Sequence, residues 1–304
     1  MATAALDDTT LEERARQAPA LIRYLAPGEF VTRRYVKQGA EMNTGDYADY
    51  DCVVRDGMPI RDHFTLDRHG FVIATAPTAI ADFHDKADVD AHYLAEVERH
   101  VAALTGADKV AAQGWMIRTS GDLTAHAQEK TAGYQHAGGI QPPAGEAHVD
   151  YNELTGQRAA ARVHGQRFAD APPYKRYLCF SFWRTFSPGP QDWPLAVCDG
   201  RSVEGADTAS NTLFVVDEFP NAEDAVKPVE GEADMIAASI FRYSPGHRWW
   251  YFSNMAKDDA LLFKFQDSDH SVTWRCPHTA FHDTSLPDAQ IRSSIEVRGV
   301  AFWE

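Results

Sequence analysis

The sequence predicts a mainly β protein, a sandwich or barrel with flanking helices. Three observations carry that class. The C-terminal half is a succession of short aromatic and β-branched runs separated by turn residues, the mark of strands packed in layers. Clear helical periodicity is confined to the N-terminal third. A chain of 304 residues, 44% hydrophobic and 24% charged, can build a substantial core, which excludes wholesale disorder.

In chain order, "TLEE" at Thr10 to Glu13 has capping-box spacing and predicts a first helix ending before Pro19. "FVTRRYV", "GFVIATA" and "KVAAQGWMIRT" read as strands. Between the last two, "DVDAHYLAEVERHVAALTG" predicts a helix with Asp88 or Asp90 as cap and Gly106 as stop. Its apolar residues Val89, Tyr93, Val97, Val101 and Leu104 return every three or four positions, so one face is buried. Gly121 to Gly145 is rich in Gly, Ala, Gln and Pro and predicts a long loop, a candidate lid. The strands then follow: "YKRYLCFSFWRTF", "TLFVVDEF", "AASIFRYS", "WWYFSNM", "DALLFKFQDS", "SVTWRCPHTAF" and "SIEVRGVAFW". We expect one domain over 1–304, with an α/β support region (1–120), a loop (121–146) and a β core (147–304) carrying an acidic insertion near 203–234.

A formal net charge of −15 argues against affinity for phosphate backbones or anionic lipid, and no Lys/Arg block is interleaved with aromatics. Neither nucleic acid nor a membrane is the expected partner; a small-molecule substrate is. The N-terminus lacks the basic and apolar regions of a signal peptide. Cys52, Cys179, Cys198 and Cys276 form no CxxC pair, as in proteins of a reducing cytoplasm. The expected location is therefore cytoplasmic, and oligomeric state is open.

"GEAHVDYNELTG" places His148 and Asp150 two residues apart, side by side on one face of an extended strand. Alone, such a pair is more often an ordinary hydrogen-bonded contact. A non-haem iron centre needs a second imidazole to complete two nitrogens and a carboxylate on one face of an octahedron, with three positions left open. "RCPHTAFHDTSLPDAQIRSSIEVRGVAFW" offers His278, and Arg292 follows at the start of the next strand. A planar guanidinium there suits the far carboxylate of a bound oxoacid. Arg298 shares the parity of Arg292 and is the alternative clamp, or else a cross-strand ion-pair partner. His282 and His247 remain rival ligands.

The ordered motifs "HVDY", "FWRTFSPGPQDWPLAVCDGRSV", "HRWWYFSNMAKDDALLFKFQDSD", "PHTAFHD" and "RSSIEVRGVAF" go further. Together with "LIRYLAPGE" and "LDRHGFVIATAPTAIADFHD", they resemble the CmcJ-like family over about residues 20 to 304. These are oxidoreductases related to the cephamycin 7-alpha-methoxylation protein and the aspergillic acid hydroxylase. The resemblance implies a double-stranded β-helix, or jelly roll, and an oxygenase using Fe(II), 2-oxoglutarate and O2. It places the ligands at His148, Asp150 and His278 and the oxoacid arginine at Arg292. The chain departs from the pattern at His282, where members commonly have Asp, and at "SFWR", where "NVWR" is common.

The expected chemistry is attack on an unactivated C–H bond of a small amino-acid- or peptide-derived metabolite in secondary metabolism, giving hydroxylation, desaturation or ring closure. Tyr151, Arg184 and Trp250 are candidate substrate contacts, with Asp192 as a protein partner for Arg184 or a turn residue. Two other classes compete: a catalytically silent jelly-roll binding protein, and a cupin-like metal-dependent hydrolase or isomerase, whose sites more often use several histidines.

Overall fold

The structure is a computed structural model that describes residues 8–37, 40–122 and 139–304. The N-terminal region supplies helix α1 (Asp8–Arg14) and strands β1 (Gln17–Leu25), β2 (Arg33–Lys37), β3 (Ala40–Asn43), β4 (Tyr47–Asp56), β5 (Phe71–Thr75) and β6 (Lys109–Thr119). Helices α2 (Leu66–His69) and α3 (Leu94–Thr105) flank β5, and a π-helical turn, Val89–Tyr93, leads into α3. Beyond residue 138 come β7 (Gly139–Gln141), β8 (His148–Val149), helix α4 (Glu153–Arg167), β9 (Arg176–Thr185), β10 (Leu195–Cys198), β11 (Thr208–Val215) and β12 (Ala237–Phe241). The chain closes with β13 (Trp249–Tyr251), β14 (Asp259–Asp267), β15 (His278–Ala280) and β16 (Ser293–Trp303).

These described strands form two sheets. The larger runs β1-β4-β13-β10-β15-β8-β12-β11-β2-β3 and the smaller runs β5-β14-β9-β16-β6-β7. They face one another across a shared core to which the large sheet gives Val54, Val197 and Phe241 and the small sheet Phe71, Trp183 and Phe263. This is the expected double-stranded β-helix. The outer face of the small sheet is covered by α3, whose Val97 and Val101 join Phe180, Phe182, Leu262 and Val297 in one buried cluster. That second layer explains why β9 and β14 are buried along nearly their whole length instead of alternating in and out.

Several expectations shift. The first helix ends at Arg14, and the chain then runs as β1 straight through Pro19. β1 is an edge strand, and Pro19 shares the parity of Arg23, whose carbonyl turns away from β4 to Ala147 N, so the missing N–H costs no bond of the β1–β4 ladder. The helix read around Val89 to Leu104 is present and ends on Gly106 in the left-handed region at φ 68°, but Leu104 is 40% exposed and lies off the buried face. Within the acidic segment near 203–234, the strand read at "TLFVVDEF" starts earlier, as β11, paired antiparallel with β12 and parallel with β2. It therefore belongs to the large sheet. Helix α4, capped by Asn152 and Thr155 in a reciprocal box, was not expected from the sequence. Of the loop expected between Gly121 and Gly145, residues 123–138 lie outside the described residues, and Gly139–Gln141 adds a parallel strand beside β6. Among the described residues no helix is long and apolar enough to cross a membrane.

Candidate metal centre

β8 and β15 lie side by side in the middle of the large sheet, and His148 and His278 are direct cross-strand partners. Their side chains therefore share the inner face, with ring centroids 4.3 Å apart. Asp150 follows β8 at a bend, and its Oδ1 lies 3.4 Å from His148 Nε2. One donor atom from each of His148, Asp150 and His278 falls within a span of 4.8 Å, and this is the only such group of three among the described residues.

Both imidazoles are oriented by the backbone. His148 Nδ1 lies 2.8 Å from Glu146 O and His278 Nδ1 lies 3.3 Å from Cys276 O. A carbonyl only accepts, so each Nδ1 carries a proton and each Nε2 is turned toward the cluster, that of His148 facing Asp150, as the atom a metal would take. Burial, and then the neighbouring His148, push the His278 imidazole down to about 3. At His148 burial acts in the same sense but Asp150 outweighs it and the imidazole is raised. Burial alone would raise Asp150; Arg298, His148 and His278 outweigh it and hold the carboxyl well below its ordinary range.

Next to the cluster is a narrow cavity lined by His148, His278, Trp183, Phe263, Arg292 and Glu296, among others. Arg292 is 1% exposed and enters it from just before β16, and burial pushes its guanidinium down to about 9. Its Nη1 donates to Trp193 O at 2.7 Å, and its Nε is buried with no protein acceptor. A buried guanidinium with an unused donor at the wall of a cavity fits an anionic ligand. Two imidazole nitrogens and one carboxylate oxygen likewise fit Fe(II) with an open face.

The other sequence candidates fall elsewhere. Arg298 reaches Asp150 and Glu296 and not the cavity where Arg292 sits: its Nη2 is 2.8 Å from Asp150 Oδ2 and its Nε 3.1 Å from Glu296 Oε1. Arg184 points to the opposite face of β9, donating to Tyr93 Oη at 2.8 Å and Lys257 O at 2.9 Å. Since neighbouring strand residues face opposite sides, Trp183 takes the cavity and Arg184 the helix layer. Asp192 accepts from Ser120 Oγ and the Arg292 backbone N–H, so it secures the start of β16 and leaves Arg184 alone. Trp250 packs in the interior against Phe64, and Tyr151 packs edge-on against Phe265. His282 is exposed and stacked on Trp193, and His247 lies between Tyr24 and Asp207. Neither is near the cluster.

Sequence reasoning missed Glu296, Arg118, Trp183 and Phe263, which line the cavity. A signal was there for Glu296, since it shares strand parity with Arg292 and Arg298.

The chain matches the oxidoreductase/YMDC permease-like domain family (YDMC) over residues 22–302. It is 32% identical to the hydroxylase/desaturase CTB9 of Cercospora beticola over 247 residues, 80% of this chain and 73% of that protein. It is 28% identical to the Fe(II)/2-oxoglutarate-dependent dioxygenase nvfI of Aspergillus novofumigatus, with 88% of each chain covered. The solved structure of the iron and alpha-ketoglutarate-dependent endoperoxidase NvfI superposes with a TM-score of 0.75 at 24% identity, covering 95% of this chain and 99% of that one, and so shares its fold.

Proposed function

We propose, on the premise that this chain belongs to the oxidoreductase/YMDC permease-like domain family, that His148, Asp150 and His278 hold Fe(II) and Arg292 holds the far carboxylate of 2-oxoglutarate. The chain is an enzyme, a non-haem Fe(II)/2-oxoglutarate-dependent oxygenase of secondary metabolism. The single observation that supports the residue assignment is that the two buried histidines of a His-Asp-His group and a buried arginine lacking a carboxylate partner line one cavity. The relatives named as dioxygenases favour turnover over a silent binding protein, and a multi-histidine hydrolase site has a different donor set.

Bound Fe(II) with 2-oxoglutarate and O2 supplies an oxidant strong enough to take hydrogen from an unactivated C–H bond, with succinate and CO2 as co-products. The protein's own part is positional. His148 and His278 turn Nε2 toward the cluster because Glu146 O and Cys276 O hold the Nδ1 protons. Asp150 presents Oδ1 beside them. Arg292 orients the oxoacid from the far end, and Trp183 and Phe263 wall the cavity against water, Phe263 within 4.8 Å of the His278 ring.

The substrate is a small molecule, and we place it among amino-acid- or peptide-derived metabolites undergoing hydroxylation, desaturation or oxidative ring closure. The names of the relatives support the first two outcomes. The whole chain acts as one oxygenase domain in this reading. The test is anaerobic: Fe(II) and then 2-oxoglutarate are titrated into metal-free protein. A visible metal-to-ligand charge-transfer band on adding the oxoacid is expected; Fe(II) binding with no band overturns the role of Arg292. Succinate release with a panel of amino acids and small peptides then reads the substrate class.

A further inference from the structure

We propose that Arg298 is a positioning residue for the metal centre, its charged guanidinium setting the Asp150 carboxylate so that one oxygen faces the imidazoles and the other faces Arg298. The inference rests on the metal-site reading above and adds a residue to it. It begins with where Asp150 stands. His148 and His278 are fixed by strand pairing and by carbonyl contacts, but Asp150 lies past the end of β8, where no ladder partner holds it. A carboxylate on such a bend can rotate, bind through both oxygens, or turn its charge fully onto His148 at 3.4 Å.

Arg298 removes that freedom from the opposite sheet. Its guanidinium lies against two carboxylates at once: Nε donates to Glu296 Oε1 at 3.1 Å, and Nη2 stands 2.8 Å from Asp150 Oδ2 as an ion pair outside hydrogen-bond alignment. Glu296 is itself anchored, accepting from Ser181 Oγ at 3.3 Å and from Arg118 Nε at 3.5 Å. The chain Ser181–Glu296–Arg298–Asp150 thus ties the ligand carboxylate to β9 and β16 of the small sheet, which pair with one another along ten residues. This is not a surface ion pair of negligible worth: the side chains of Asp150 and Glu296 are 14% and 6% exposed, and that of Arg298 33%. Nor is Arg298 a second clamp for the same oxoacid. Arg298 stands six positions beyond Arg292, about 20 Å at roughly 3.3 Å per residue, with Glu296 between them. The oxoacid arginine therefore stands just before β16 and the carboxylate positioner further along it.

The test measures Fe(II) affinity anaerobically, without oxoacid, in the full chain carrying Arg298→Gln, with Arg292→Met alongside. Loss of a group that orients a metal ligand typically weakens metal binding about 10- to 100-fold. That loss is expected for Arg298→Gln, with 2-oxoglutarate absent from the assay, while Arg292→Met binds Fe(II) like the wild type. Unchanged Fe(II) affinity, followed by no charge-transfer band when 2-oxoglutarate is then added to the Fe(II)-loaded variant, overturns the proposal and makes Arg298 a cosubstrate residue. Unchanged Fe(II) affinity with only a lowered melting temperature overturns it in favour of a purely structural pair. Where Arg298→Gln does not fold, Arg298→Lys keeps the charge without the two-pronged geometry; weakened Fe(II) binding supports positioning by the fork, and wild-type binding overturns it. A wild-type protein that takes up no Fe(II) fails at the first titration, which refutes the metal-site reading itself and is seen before any variant is made.

Discussion

At the scale of single residues, the centre depends on which histidine faces inward. His278 pairs with His148 across two strands, whereas His282, four residues later, is exposed and stacked on Trp193 with centroids 5.0 Å apart. We expect His278→Ala to weaken Fe(II) binding beyond the roughly hundredfold that an outer-sphere loss produces, and His282→Ala to leave it unchanged; an anaerobic Fe(II) titration of both variants separates them. Arg292 poses the opposite problem, a buried cation without a protein carboxylate. Replacing such a group by an apolar side chain of similar size removes a desolvation cost. The Arg292→Met protein is therefore expected to melt at a higher temperature than the wild type when both are metal-free, and to show a 2-oxoglutarate KM raised at least about tenfold, which is ~1.4 kcal/mol. A variant that is less stable and binds the oxoacid normally contradicts both halves of the argument.

At the scale of elements, the strands of the C-terminal half were legible because their runs are short, aromatic and bounded by turn residues, and β6 follows "KVAAQGWMIRT" from end to end. What escaped were elements whose local signals conflict with their place. β1 was hidden by Pro19, which reads as a stop yet is harmless on an exposed edge position. Helix α4 carries Gly156 and Gly165 in its interior, and its periodicity is weak. Gly156 is there for packing, since a Cβ at that position would come within 2.7 Å of the Gln266 side chain. The residues that the structure brings together were legible where motif and parity agreed, as at His148, Asp150 and His278. They were not where a single step along β9 exchanges the cavity for the helix layer, as between Trp183 and Arg184. α4 bears on the centre because its cap, Asn152, lies two residues beyond Asp150; the Asn152 side chain accepts from Thr155 N at 2.8 Å. Asn152→Ala is expected to cost about 1 kcal/mol of stability and to lower Fe(II) affinity as well, because the bend that presents Asp150 loses its downstream anchor. Thermal melts read the first and Fe(II) titration the second; a stability loss with unaltered affinity shows that the bend is fixed without the helix.

At the scale of the whole molecule, a two-sheet core stores titratable groups whose burial couples stability to pH away from the metal centre. His69, at the end of α2, is the clearest case: it is 1% exposed, packed among His63, Phe64 and Phe71, with Nδ1 accepting from Thr65 N at 3.1 Å. Burial pushes its imidazole down to about 4; Asp199 opposes that, while Arg201 and His63 add to it. In the unfolded chain the same group titrates near its ordinary value of about 6.5. Above that value neither state binds the proton, and His69 contributes no slope. As pH falls from about 6.5 toward 4, the unfolded chain takes up a proton that the folded protein refuses, so stability falls by at most about 1.4 kcal/mol per pH unit from this residue alone. The comparison is therefore made between pH 7 and pH 5. Urea midpoints of the metal-free wild type are expected to drop further over that interval than those of His69→Gln, whose amide does not titrate, by up to about 2 kcal/mol of unfolding free energy. Parallel pH profiles for the two proteins mean that His69 finds solvent or a partner on protonation, and that acid sensitivity in this fold arises from its carboxylates instead.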